Sequence, residues 1–169
     1  MLTSRLRGVH NVPISLKKLN TGELFVVSSL RLWMLPHYDP EHGYPDWRLG
    51  FVHARIDADG EIGFHTFCEM LAAGAFEPLR VQALHCSCLG EHEAWPLRVV
   101  SLLQQNQLTA AQNILTQRCA PSAARLALAP ARDFARALLR RRLCVACHFD
   151  NPSASAPRGI GFFRSTRIH

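Results

Sequence analysis

No run of about eighteen apolar residues occurs anywhere in the chain, and its longest apolar patch, from Leu24 to Leu35, is broken by Ser28, Ser29 and Arg31. That patch cannot pass comfortably through a bilayer, so it reads as a core helix. No apolar stretch with a small-residue cleavage site follows Arg5 and Arg7, which argues against a secretory leader and for a cytoplasmic location. A glycine-rich phosphate loop, a nucleophile elbow and a zinc-protease helix motif are all missing, so the reading leans against an enzyme. No repeat of fixed period appears.

No acidic residue occurs beyond Asp150, where the chain continues with Pro152, Pro157, Gly159, Gly161 and the arginines Arg158, Arg164 and Arg167. Over the whole chain 19 Lys and Arg face 13 Asp and Glu, a net charge of +6 that favours encounters with anionic partners without specifying one. Hydrophobic residues reach 48% and charged ones 19% of 169 residues, close to soluble globular averages. The expected organisation is an N-terminal arm over 1–20, a single helical domain over 21–150 and a basic tail over 151–169.

Apolar spacing within that domain predicts a mainly α fold, a compact bundle of about five to six helices with at most a short strand or hairpin. A first helix starts at Thr21 and ends near Leu35, before Pro36. The turn formers between Pro36 and Pro45 then make a loop, and Asp46 caps a second helix that closes between Asp57 and Gly60. Asp57, Asp59 and Gly60 resemble a calcium loop only superficially, because the first and twelfth ligand positions would fall on Arg55 and Thr66. They predict a turn into a third helix, Glu61 to Ala73.

Alternation from Pro78 to Leu84 predicts a short strand or an extended lead. A helix from about Gly90 to Gln105 follows, with Pro96 marking its first turn or a kink. Thr109 and Gln112 have capping-box spacing for the next helix. Pro121 starts a short helical turn, and Pro130 starts the last long helix.

Chemistry is concentrated in His85-Cys86-Ser87-Cys88 and in Cys144-Val145-Ala146-Cys147-His148. Six cysteines in a reducing compartment read as thiols or metal ligands rather than a disulfide framework. If the fold brings the two segments together, Cys86, Cys88, Cys144 and Cys147, with His85 or His148 replacing a sulfur, can hold zinc. The second segment also matches the attachment pattern of c-type haem, but that attachment is made outside the cytoplasm, so haem is not expected.

Arg132, Arg136 and Arg140 recur at four-residue spacing, with Arg141 and Arg142 adjoining, and such a face can bracket successive phosphates. The leading functional expectation is a cytosolic regulatory or accessory binding module with a protein partner and a Cys/His metal or thiol redox site. Two alternatives stand beside it: a nucleic-acid-binding protein using the Arg132 to Arg142 helix, and a cysteine-dependent enzyme at Cys86 or Cys88, where a neighbouring imidazole would act as base.

Overall fold

Six α-helices, two short 3-10 helices (Leu16–Lys18 and Pro40–His42) and a two-stranded antiparallel ribbon account for the regular structure of residues 13–146, the part of the chain that the computed structural model describes. The helices are α1 (Thr21–Tyr38), α2 (Arg48–His53), α3 (Ala58–Gly74), α4 (Glu91–Gln104), α5 (Leu108–Arg118) and α6 (Pro121–Arg140). The ribbon pairs β1 (Ile14–Ser15) with β2 (Cys88–Leu89), Ile14 opposite Leu89 and Ser15 opposite Cys88. The fold is therefore mainly α, as the apolar spacing predicts. The tail over 151–169, Cys147 and His148 lie outside the described residues.

Helix starts follow side-chain chemistry. Asn20, not Thr21, caps α1: its side chain accepts from the Glu23 N–H while the Glu23 carboxylate accepts from the Asn20 N–H, a reciprocal capping box. Asp57 does the same work for α3 by accepting from the Gly60 N–H at 2.9 Å. The segment expected to be a turn is thus the cap and first turn of a helix, and α2 ends earlier than Asp57, with Arg55 left-handed at φ 54. Thr109 forms no cap, because α5 already begins at Leu108.

Two prolines expected to stop or start helices lie inside them instead, Pro36 in α1 and Pro130 in α6, while Pro96, expected to mark the first turn or a kink of its helix, lies inside α4. Each removes one helical hydrogen bond. At Pro96 and Pro130, burial on both sides outweighs that loss. Around Pro96, Trp95, Leu97, Val99 and Val100 are buried, and around Pro130, Ala127, Ala131 and Phe134 are fully enclosed. The short turn at Pro121 and the long helix after Pro130 are consequently one helix.

The centre of the molecule is the antiparallel pair α3 and α6. An added methyl at Gly60 would meet the Ala137 side chain, one at Gly63 would meet the Pro130 carbonyl at 2.8 Å, and one at Gly74 would meet Ala123. Small residues on both helices therefore let the backbones approach closely. Phe51, Phe64 and Phe134, with ring centroids 5.0 to 5.9 Å apart, join α2 to this pair. α4 and α5 pack on α6 from the other side, through Val99, Leu103, Ala111 and Leu115 among the buried residues.

The stretch Pro78 to Leu84, expected to be a short strand or an extended lead, forms no strand. Its backbone groups are taken by side chains. The Tyr38 hydroxyl donates to the Leu79 carbonyl, the Gln82 N–H donates to Glu93 at 2.9 Å, and the Ala83 carbonyl accepts from Arg31 at 3.3 Å.

Candidate functional sites

The thiol loop is folded around one buried ion pair. Arg31, on α1, is 1% exposed and Glu93, on α4, is fully enclosed. The arginine Nε donates to Glu93 Oε1 at 2.7 Å and one terminal nitrogen donates to Oε2 at 3.0 Å. The guanidinium also donates to the carbonyls of Ala83, Cys86 (2.8 Å) and Cys88 (2.7 Å). From the other side, the Glu93 oxygens accept from the N–H groups of Gln82 and Gly90. Five backbone groups between Gln82 and Gly90 thus converge on two charged side chains, as a desolvated pair requires if its remaining hydrogen-bonding capacity is to be satisfied. Cys86 and Cys88 are half-buried free thiols on this loop, and His85 beside them is exposed.

Cys144, in the segment after α6, packs against a different part of α1. Its carbonyl packs against Gly22 in the first turn, while Gln104 receives the Val145 N–H at 2.8 Å and Ser101 donates to the Val145 carbonyl, also at 2.8 Å. The thiol itself is exposed. Gly22 and Arg31 are nine residues apart on one helix, a rise of roughly 13 Å, so the two cysteine segments rest on different turns of α1. Among the described residues no group of three or more His, Cys, Asp or Glu is placed to hold one metal ion. The fourth thiol and the second imidazole of the expected zinc set, Cys147 and His148, fall outside those residues. Burial pushes the thiols of Cys68 and Cys119 up from their ordinary range, and Cys68 the further.

The arginine face of α6 is divided. Arg136 and Arg140 line an open groove of about 490 Å³ between α3 and α6, together with Thr66, Asp59 and Asp133. Arg140 is committed within it, donating from two nitrogens to Asp57 at 2.6 and 3.1 Å. Arg132 is half-buried, and Arg141 is exposed at the C-cap. Carboxylates therefore interrupt the positive row on which a phosphate backbone would lie. Asp57 itself is held below the ordinary carboxylate range, first by the Gly60 N–H and then by Arg140.

A third site joins residues that the apolar pattern reads only as core. An open groove of about 630 Å³ is lined by Trp33, Pro36 and His37 of α1, Trp47 and Arg48 at the start of α2, and His65, Glu69 and Ala73 of α3. Trp33 stacks on His37 with centroids 4.6 Å apart, and Trp47 stacks on His65 at 5.9 Å and 12°. The Trp33 indole N–H donates to His65 Nδ1 at 2.9 Å, and His65 Nε2 faces Glu69 at 3.3 Å. Because Nδ1 accepts, Nε2 carries the ring proton and points it at the carboxylate. The Arg48 guanidinium lies 4.6 Å over the Trp47 ring.

The sequence does carry a trace of this groove. Trp33 with His37 and His65 with Glu69 are both four residues apart on helices, which puts each pair on one face. Nothing local joins the two pairs. The chain matches no family model, no curated protein and no solved structure, so neither a family nor an activity is carried over to it from a relative.

Proposed function

We propose that this protein is a cytosolic accessory binding module that docks an extended segment of a protein partner in the groove between α1, α2 and α3. One observation carries the reading: two indole–imidazole stacks, tied together by the Trp33–His65 hydrogen bond, flank an open groove floored by Leu32, Pro36, Ala72 and Ala73. Flat aromatic faces above an apolar floor receive prolyl or aromatic rings well, and aromatic-lined grooves are a recurrent way of holding extended peptides. Arg48 and Glu69 at the rim offer charges of both signs to orient such a segment. The same geometry makes His65 a poor general base, since Trp33 occupies its accepting nitrogen. A reducing cytosol would keep the free thiols in the form described.

The test is selection of a random phage-displayed peptide library on the full chain. Enriched peptides should share a prolyl or aromatic residue and bind His65→Ala at least about tenfold more weakly, the loss of roughly 1.4 kcal/mol. Peptides that bind His65→Ala as well as they bind the parent protein, or no enrichment at all, would remove this reading.

A further inference from the structure

The Cys86 and Cys88 carbonyls both accept from Arg31, whereas the Ser87 carbonyl between them accepts from the Leu16 N–H at 2.8 Å. Carbonyls that alternate in this way mark an extended segment. In an extended segment the side chains of residues i and i+2 share one face. Cys86 and Cys88 therefore share one face of the segment, on Cα atoms roughly 6.6 Å apart. Both are half-buried and free. The backbone that carries them is anchored by a buried ion pair rather than by ordinary loop contacts.

We propose that Cys86 and Cys88 form a two-thiolate site for copper(I). Soft thiolates favour copper(I), zinc and iron–sulfur clusters over the harder first-row ions, and an iron–sulfur cluster is held by four cysteines. A structural zinc site is closed by four ligands, and among the described residues no third donor joins this pair. Closing a disulfide across the single residue Ser87 would contract the segment toward the usual Cα separation of about 5.5 to 6 Å and turn its side chains toward each other. That movement works against the carbonyl bonds to Arg31 and Leu16. An ion bridging two sulfurs spans the gap with the backbone in place.

Binding is ligand exchange without electron transfer. Each thiol releases its proton to solvent, two sulfur–copper bonds form, the bonds from copper to the donor chelator break, and the copper remains in the +1 state. Uptake therefore strengthens as pH rises. Arg31 acts here as a positioning residue through its hold on the two carbonyls.

The experiment presents copper(I), as its coloured bicinchoninate complex, to the reduced full chain without oxygen and follows the loss of colour. Cys144 and Cys147 offer a second pair of thiols, so Cys144→Ser with Cys147→Ser serves as the starting protein. It should withdraw one copper ion per chain, and adding Cys86→Ser with Cys88→Ser should abolish uptake while leaving the helical circular dichroism unchanged. Should that last protein misfold, alkylation of the starting protein mapped by mass spectrometry decides instead, since copper should shield Cys86 and Cys88 from iodoacetamide. Uptake that survives loss of Cys86 and Cys88, no uptake by the starting protein, or alkylation indifferent to copper would each overturn the proposal. A requirement for all four cysteines would overturn it too, in favour of a shared site.

Discussion

Two of the arginine–carboxylate pairs that join distant parts of this chain do different work. Arg31 and Glu93 connect residues 62 apart with no more than 2% of either side chain exposed. Arg140 and Asp57 connect residues 83 apart with about half of each side chain in water, 51% and 43%. Both pairs have short bonds, so distance does not separate them. Solvent does, because a charge removed from water must recover its hydration from protein atoms, whereas an exposed one keeps most of it. The buried pair recruits five backbone groups and thereby dictates the course of the loop from Gln82 to Gly90. The exposed pair decorates the start of a helix whose position is set by packing.

The sharpest way to break this contrast is Glu93→Gln. It preserves shape but leaves the Arg31 charge buried without its counter-ion, and the expected loss is about 3 to 5 kcal/mol of unfolding free energy in urea. Replacing both partners, Arg31→Met with Glu93→Leu, often restores stability in buried pairs elsewhere. It should fail to do so here, because the backbone groups of Gln82, Ala83, Cys86, Cys88 and Gly90 would lose their partners at about 1 to 3 kcal/mol for each one left unsatisfied. A double variant as stable as the parent would show that the loop does not depend on the pair.

Next in size is Gly63→Val, which asks what holds α3 against α6. A side chain there would press on the Pro130 carbonyl, where even a methyl would come within 2.8 Å, and the Phe134 backbone N is 3.0 Å away. Overpacking of this kind costs about 1 to 3 kcal/mol. Arg140→Gln removes the ion pair between the same helices and should cost only about 0.2 to 1 kcal/mol. Thermal melts of the two variants side by side would reverse the argument if Arg140→Gln proved the more damaging.

The sequence makes the helical class and most helix positions legible because those rest on local spacing. It is misleading at Pro36 and Pro130, where a local rule about proline meets packing supplied by residues far along the chain. Arg31 reads in sequence as an interruption of an apolar run and Glu93 as a carboxylate near the start of a helix; only tertiary structure makes them partners. The aromatic groove is hidden for a related reason. Trp33, Trp47 and His65 come from three helices, and an indole on an apolar stripe reads as core whether or not its edge reaches a cleft. The arginine row of α6 is visible from its four-residue spacing, but the carboxylate of Asp57 that captures Arg140 is not.

The smallest expected effect isolates proton binding at that exposed pair. The carboxyl of Asp57 is depressed from its ordinary value of 3.8, chiefly by the Gly60 N–H and next by Arg140. A depressed folded-state value means that the unfolded chain binds the proton more readily. Stability from this group is therefore fully present above about pH 4 and is lost as pH falls through the lower, folded value. Asp57→Asn keeps a good capping oxygen and removes the titration, so its unfolding midpoint should decline less than the parent's over successive steps below about pH 4. Arg140→Gln should flatten only part of that decline, because the Gly60 N–H still holds the carboxylate. If Arg140→Gln flattened all of it, the ion pair rather than the helix cap would be the stronger influence on Asp57, and the exposed pair would resemble the buried one more closely than its solvent contact predicts.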